Sequence, residues 1–399
     1  MNKMIDKIWA EEIKDSRGNP TIKVTVCSGD KSAGFSVPSG ASTGAHEARV
    51  LGTKEAIKRV NEIIAPVLIG KDIFNQKEID NILIELDGTK DKSRLGGNAT
   101  IGVSVAVVKT AAKTKRQEVF EYLRILENIK SSREVPFLYM NLVNGGKHAH
   151  NNLVFQEYLV VPNTEDVNEA MQIGITIQNS IKEIILEKYG EESLILGDEG
   201  GYAPKISDVR EPLVILDEVI RKNNLTGKVR LALDVAASSF YENGIYKISE
   251  KKVNKTEFIN IYENLIKEFN LLSIEDPFDE EDFESFTRLK TQNPNLLVMG
   301  DDLTVTNVDC VKKAIENGSI NAMIIKPNQI GTLTETLATM KLARENDIKL
   351  IVSHRSGETD DDFIADLAYA FGCFGLKSGA PSKPERKVKY DRLIEISKK

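Results

Sequence analysis

Between Leu271 and Gln329 the chain repeats one pattern three times: a short apolar run that stops at a chargeable side chain. LLSIEDPF stops at Glu275, LLVMGDDLTVTN at Asp301 and INAMIIKPNQ at Lys326, spaced 26 and 25 positions apart. Apolar runs of this length, separated by enough chain for a helix, read as buried parallel strands with helical crossovers. The pattern extends outward through LALD to Asp234, IKLIVSH to His354 and CFGLK to Lys377. Six strands would then carry polar or charged groups at their carboxyl ends. In a closed or nearly closed β/α barrel, that rim is where catalytic groups from several strands converge.

Taken singly, each residue has an ordinary explanation. A carboxylate after a strand is commonly a helix N-cap or a solvated loop residue, and Asp301-Asp302 with Thr304 would start a helix near Thr306. Six in consecutive register are harder to dismiss, because three acids and two lysines on one rim call for something polyvalent between them. Asp234, Glu275 and Asp301 offer only oxygen donors, a set that favours Mg²⁺ over zinc and leaves positions open to water or substrate. Separate surface salt bridges are the alternative.

Lys326 ends a run, 323–325, that should be buried, so it must pair with an acid or lose its proton. A metal and a second cation such as Lys377 would depress its pKa, as a general base requires. A lysine base beside Mg²⁺ suits removal of a weakly acidic proton α to a carboxylate, because the metal neutralises the resulting dianion. A structural lysine and a Schiff-base lysine are the other readings. Glu199, in GDEGG, and Glu157, after Gln156, would share a proton, like charges raising one pKa so that one serves as general acid. The loop Ser353-His354-Arg355-Ser356-Gly357-Glu358-Thr359 suits a phosphate ester through guanidinium, hydroxyl and backbone N–H. Alone that is a weak signal, since loop arginines are usually solvated.

The 399 residues suffice for two domains and an ample core, and 41% hydrophobic with 28% charged residues is an ordinary globular composition. A net charge of −7 argues against a nucleic-acid groove. Cys27, Cys310 and Cys373 share no metal-type spacing and read as reduced thiols of a cytoplasmic protein. Asp6, Lys7, Glu11 and Glu12 interrupt any signal-peptide core, and the apolar stretch 99–112 is too short to span a bilayer.

In chain order, residues 4–37 predict antiparallel strands, with Ile22, Val24 and Val26 alternating and turns at 15–20 and 28–31. The small-residue loop 38–44 lacks the Gly-Lys-Ser/Thr ending of a P-loop and reads either as a surface loop or as a lid. Helical periodicity follows at Ala56, Ile57, Val60, Ile63, Ile64 and again at Ile79, Ile82, Leu83, Leu86, with a buried helix over 98–113. Residues 1–130 thus read as an N-terminal α+β domain, 128–134 as linker, and 131–399 as alternating strand and helix. Within the latter, 139–143 and 152–161 predict strands and 165–188 a helix.

The motifs together resemble enolase, the phosphopyruvate hydratase family of glycolysis and gluconeogenesis, over essentially the whole chain. They are DSRGNPT (15–21), VPSGASTG (37–44), NGGKHA (144–149), QE (156–157), GDEGG (197–201), LDVAAS (233–238), SIEDPF, GDDLTVTN, KPNQIG (326–331), SHRSGET and LKSGAP (376–381). The resemblance implies an α/β fold with an enolase-type, modified TIM β/α barrel and an N-terminal α+β capping domain. It implies a Mg-dependent lyase that reversibly dehydrates 2-phospho-D-glycerate to phosphoenolpyruvate. By position, Lys326 would take the α-proton and Glu199 would assist loss of the hydroxyl, with Glu157 beside it. Asp234, Glu275 and Asp301 would hold one Mg²⁺, and Ser42, on the lid, would help bind a second that enters with substrate. His148, Gln156, Ser353, His354, Arg355, Ser356 and Lys377 would form the substrate-binding set. A homo-oligomer, dimer or octamer built from dimers, is implied as well.

Some positions depart from the family pattern. Arg49-Val50-Leu51-Gly52 replaces a longer charged loop, His150 stands where Gly is common, and Ser239 replaces a usual Glu; Pro327 is similar to archaeal members. Lys23 and Glu395 stand where members commonly carry Glu and Arg, a paired reversal that suggests contact across a homodimer interface; two unrelated surface changes are the alternative. Another superfamily member acting on a different acid is the runner-up, opposed by Glu199, His148 and the SHRS loop. An enolase-like binding protein without turnover would be expected to have lost Lys326, Glu199 or a metal ligand, and all are present.

Overall fold

The computed structural model describes residues 3–40, 44–129, 134–149 and 151–399. It opens with an antiparallel meander, β1 (Lys7–Lys14), β2 (Pro20–Ser28) and β3 (Lys31–Ser36). The β1–β2 turn is held by Asp15, whose Oδ1 accepts the backbone N–H groups of Arg17 and Asn19, both at 2.9 Å. Ile22, Val24 and Val26 are fully buried, each contributing about 2 kcal/mol of apolar burial. They pack against helix Gly97–Thr114. The approach is so close that a Cβ on Gly102 would lie 2.6 Å from Val24 Cγ2. The same helix docks on the second half of the chain, through Lys109 Nζ to Asp361 at 2.8 Å and Ser104 Oγ to the Leu333 N–H at 2.9 Å.

The second half is a closed eight-stranded barrel. Its strands are β4 (Phe137–Asn144), β5 (Glu157–Pro162), β6 (Val229–Asp234), β10 (Ser273–Glu275), β11 (Leu297–Gly300), β12 (Ala322–Ile325), β13 (Lys349–Ser353) and β14 (Gly375–Lys377). A small outlying sheet, β7 (Tyr241–Glu242), β8 (Ile245–Ile248) and β9 (Lys251–Asn254), interrupts the chain after β6. The apolar runs are continuous because both faces of each strand are covered. Ala322 and Ile324 point into the barrel with Tyr139, Leu159, Met299 and Ile351, while Met323 and Ile325 join the core under the surrounding helices.

Three expectations need correction. The barrel is not wholly parallel: β5 runs antiparallel to both β4 and β6. Strand and helix do not alternate at the start, because β4 connects to β5 through a loop, and β5 begins at Glu157 rather than 152. The helix expected near Thr306 begins at Val308, capped by the Asn307 side chain, which accepts the Asp309 N–H at 2.8 Å. Asp301 and Asp302 are therefore not that helix's caps. Among the described residues no helix is long and apolar enough to cross a membrane, and Cys27, Cys310 and Cys373 are all unpaired.

Candidate active site

Ring order decides which side chains meet. The barrel closes in the order β10-β11-β12-β13-β14-β4-β5-β6, so β12 and β5 stand on opposite sides of its mouth. Lys326 follows β12 directly, and Glu157 is the first residue of β5. Reversal of β5 brings its amino end to the rim where every other strand delivers its carboxyl end. Glu157 lies in register with Asp234 on one side and Asn144 on the other. Asp234, Glu275 and Asp301 come from the ends of β6, β10 and β11, filling one arc between the two; His354 and Lys377, from β13 and β14, lie on the other.

Twelve of the predicted residues line one cleft of about 430 Å³: His148, Gln156, Glu157, Glu199, Asp234, Asp301, Lys326, Ser353, His354, Arg355, Ser356 and Lys377. Glu275 is just behind them, fully buried, with Oε2 2.7 Å from Lys377 Nζ. Ser42 and His150 lie outside the described residues. Ser239 lies within the short helical turn Ala237–Phe240 after β6 and does not line the cleft.

Two lysines organise the acids. Lys377 Nζ lies 3.1 Å from Asp234 Oδ2 and 3.2 Å from Glu157 Oε2, besides its bond to Glu275. Burial alone would lower its pKa, but the charges of Asp234, Glu157 and Glu275 hold it well above the lysine range. Lys326 Nζ donates to Asp301 Oδ2, whose Oδ1 accepts Gln329 Nε2 at 2.9 Å. The depression expected for Lys326 supposes a bound metal; in the metal-free site the shift runs the other way. Burial would lower it, yet the Asp301 carboxylate raises it above the usual value against weaker opposition from Arg355 and Lys377.

At the other end, His148 Nδ1 is 3.5 Å from both Glu157 Oε1 and Glu199 Oε1. Asn141 Nδ2 donates to Glu199 Oε2 at 3.0 Å, and His354 Nε2 is 3.3 Å from Glu199 Oε1. Burial, then the charge of Glu199, pushes Glu157 well above the carboxylate range. Burial would raise Glu199 too, but its polar neighbours hold it low. The two carboxyls are thus pushed apart, Glu157 up and Glu199 down, the direction of inequality that like charges predict. Burial pushes His354 down to about 3, so it is neutral.

Carboxylates outnumber cations here, which is the arrangement a divalent ion would resolve. Glu275 Oε1 is buried with no hydrogen-bond partner among the described residues, and Asp234, Glu275 and Asp301 are all hard oxygen donors. The residues present fit Mg²⁺. The groups whose ligand atoms all lie within 4.8 Å of one another are different ones, Asp276 with Asp301 and Asp302, and His148 with Glu157 and Glu199. Asp276 there has a positioning role, since its oxygens accept the N–H groups of Asp301 (2.9 Å) and Asp302 (2.8 Å).

Sequence reading missed several contributors. Asp276 and Asp302 were legible only as neighbours of predicted ligands. Glu47 sits beside the lid segment and forms a buried bidentate pair with Arg355, Oε2 to Nη1 at 3.0 Å and Oε1 to Nη2 at 3.2 Å. Buried Arg386, in the last helix, reaches His354 with no local signal to mark it. Gly379, from the motif 376–381, has φ +71°, and a Cβ there would lie 2.8 Å from the Glu199 carbonyl and 3.1 Å from the His354 ring.

A barrel rim carrying a lysine, oxygen-only donors and a carboxyl pair has the groups that metal-assisted proton abstraction needs. Two family models match the chain: "Enolase, N-terminal domain" over residues 5–123 and "Enolase, C-terminal TIM barrel domain" over 132–399. The enolase of Methanocaldococcus jannaschii is 45% identical over 404 residues, covering 98% of this chain and 94% of that one. Those of Methanopyrus kandleri and Sulfolobus acidocaldarius are 44% and 43% identical, each covering 98% of this chain and 95% of its own length. The chain belongs to the enolase family, the Mg²⁺-dependent phosphopyruvate hydratases of glycolysis.

Proposed function

We propose that the protein interconverts 2-phospho-D-glycerate and phosphoenolpyruvate at this rim, with Lys326 as base and Glu199, supported by Glu157, as acid. One observation carries the reading: a lysine and a carboxyl pair on opposite sides of one cleft, with Asp234, Glu275 and Asp301 between them. Elimination across two adjacent carbons needs a base at one and an acid at the other.

Lys326 would remove the α-proton, and Glu199 would protonate the departing hydroxyl, drawing on the proton that Glu157 holds. Asp234, Glu275 and Asp301 would hold one Mg²⁺; a second, entering with substrate, would use Ser42. When bound, the metal supplies positive charge that neutralises the carboxylate dianion formed on loss of the α-proton. Arg355 and Ser356 would take the phosphate, the guanidinium exchanging its Glu47 partner for phosphate oxygens. His148, Gln156, Ser353, His354 and Lys377 would orient the remaining polar groups, and the buried walls would exclude water.

We further propose a division at residue 130 into cap and barrel, a cytoplasmic location consistent with three unpaired thiols, and a homo-oligomer built on dimers. The direct test is appearance of phosphoenolpyruvate from 2-phosphoglycerate. Conversion that requires Mg²⁺ supports the reading; no conversion with Mg²⁺ at any concentration overturns it.

A further inference from the structure

Arg386 is completely buried, a costly place for a cation; its two terminal nitrogens are engaged, while Nε has no hydrogen-bond partner among the described residues. It belongs to the last helix, Pro384–Ile396, far in sequence from the strand ends it serves. Its Nη1 donates to the Arg355 carbonyl at 2.5 Å and meets His354 Nδ1 at 2.7 Å. Its Nη2 donates to the Ser356 carbonyl at 2.6 Å and the Asp198 carbonyl at 3.2 Å. The loop that carries His354, Arg355 and Ser356 is thereby tied to the loop that carries Glu199.

The contact with His354 has a consequence that distance alone does not state. A guanidinium has five N–H donors and no acceptor. His354 Nδ1 must therefore be the acceptor, and a neutral imidazole that accepts at Nδ1 carries its hydrogen on Nε2. That nitrogen is buried 3.3 Å from Glu199 Oε1, near enough for charge attraction but without the alignment of a hydrogen bond. We infer that Arg386 is a positioning residue for the reaction: it selects the Nε2–H tautomer of His354 and keeps that N–H on the side nearest Glu199.

The opposite tautomer would put two N–H groups against each other at Nδ1 and turn a lone pair toward the Glu199 carboxylate. Both contacts would be repulsive. In the selected tautomer a hydrogen, and not a lone pair, stands on the side of the ring nearest Glu199 Oε1, while Glu199 Oε2 accepts from Asn141. Arg386 does not line the cleft, so it would act through His354 and the two loops. A residue that merely filled space there would leave the imidazole free to choose either tautomer.

The chain has four histidines, so long-range ¹H–¹⁵N spectra of ¹⁵N-histidine-labelled protein can be assigned by substituting each in turn. In the wild-type protein the His354 ring is expected to show the pattern of a protonated Nε2 and an unprotonated Nδ1. A protonated Nδ1 overturns the inference without any variant. In Arg386→Met the two tautomers should be mixed or reversed, and kcat should fall about a hundredfold, the size of a misplaced acid–base group, with KM changed less. Arg386→Lys, which keeps a donor in place of the guanidinium, should recover part of the tautomer bias and of kcat. An unchanged His354 pattern in a folded Arg386→Met protein also overturns it, whatever its activity. The kinetic arm rests on Glu199 as the acid; the spectroscopic arm does not, so the two readings fail separately.

Discussion

Glu157 lies directly across the sheet from Asp234, the first residue of a reversed strand against the last residue of its neighbour. Lys377 Nζ reaches both, at 3.2 and 3.1 Å. The acid end of the cleft and the metal end thus share one buried ammonium, and a charge change at either is felt at the other.

Lys377→Met leaves Glu157, Asp234 and Glu275 without that cation. Breaking a buried ion pair from one side costs about 3–5 kcal/mol, and urea titration of the variant should show a loss of that order. Mg²⁺ should recover part of it. A loss within error of zero would mean that the ammonium is not what offsets the acids.

Asp302 gives a pH signature. Burial and then the charge of Asp301 push its carboxyl up to about 8. Its folded value is above its unfolded one, so its contribution to stability is fully present below about pH 4 and is lost as pH rises through 8. In chelator, wild-type protein should therefore lose stability relative to Asp302→Asn across that window. Saturating Mg²⁺ should move the window to lower pH, because Asp301 then shares its charge with the ion. A constant difference between the two proteins at all pH values would contradict the assignment.

Glu47→Ala removes the bidentate carboxylate from the buried Arg355 guanidinium, which keeps its bond to Asn328 Oδ1 at 3.1 Å. Stability should fall by about 3–5 kcal/mol, and inorganic phosphate should restore more to the variant than to wild type. Equal restoration in both would argue that Arg355 does not face the phosphate subsite.

The barrel was legible because six strands lead into a polar residue, the last five of these 23 to 28 positions apart, and both faces of each strand are apolar. Reversal of β5 was not legible. A buried strand reads the same in either direction, and the loop between 145 and 156 carries no helical period. The site was legible where chemistry sits at a strand end, as at Asp234, Glu275 and Lys326. It was hidden where a residue acts on another residue: Asp276 holds the N–H groups of Asp301 and Asp302, Glu47 pairs with Arg355, and Arg386 grips His354. Those contacts join segments up to 308 positions apart, and local pattern carries no trace of them. The pairing of Lys326 with Asp301, which raises its pKa in the metal-free site, was hidden for a related reason, since it is a product of ring order.

Lys23 and Glu395 offer a test of assembly. Within the chain Glu395 already pairs with Arg392 at 3.0 Å and Lys399 at 3.4 Å in its own helix. If Lys23 meets it across a homodimer, Lys23→Glu should weaken dimer formation in low salt by a modest factor, an exposed pair contributing about 1 kcal/mol or less. Charge reversal at both positions should restore it. Sedimentation that shows no change for Lys23→Glu at any salt concentration would remove the pair from the interface.

The most direct measurement is exchange of the α-proton of 2-phosphoglycerate with solvent, followed by NMR on wild type and Lys326→Ala, alongside calorimetric titration of Mg²⁺. The expected result is loss of exchange by about a thousandfold or more in a variant that still binds Mg²⁺. Exchange at the wild-type rate would contradict Lys326 as the base.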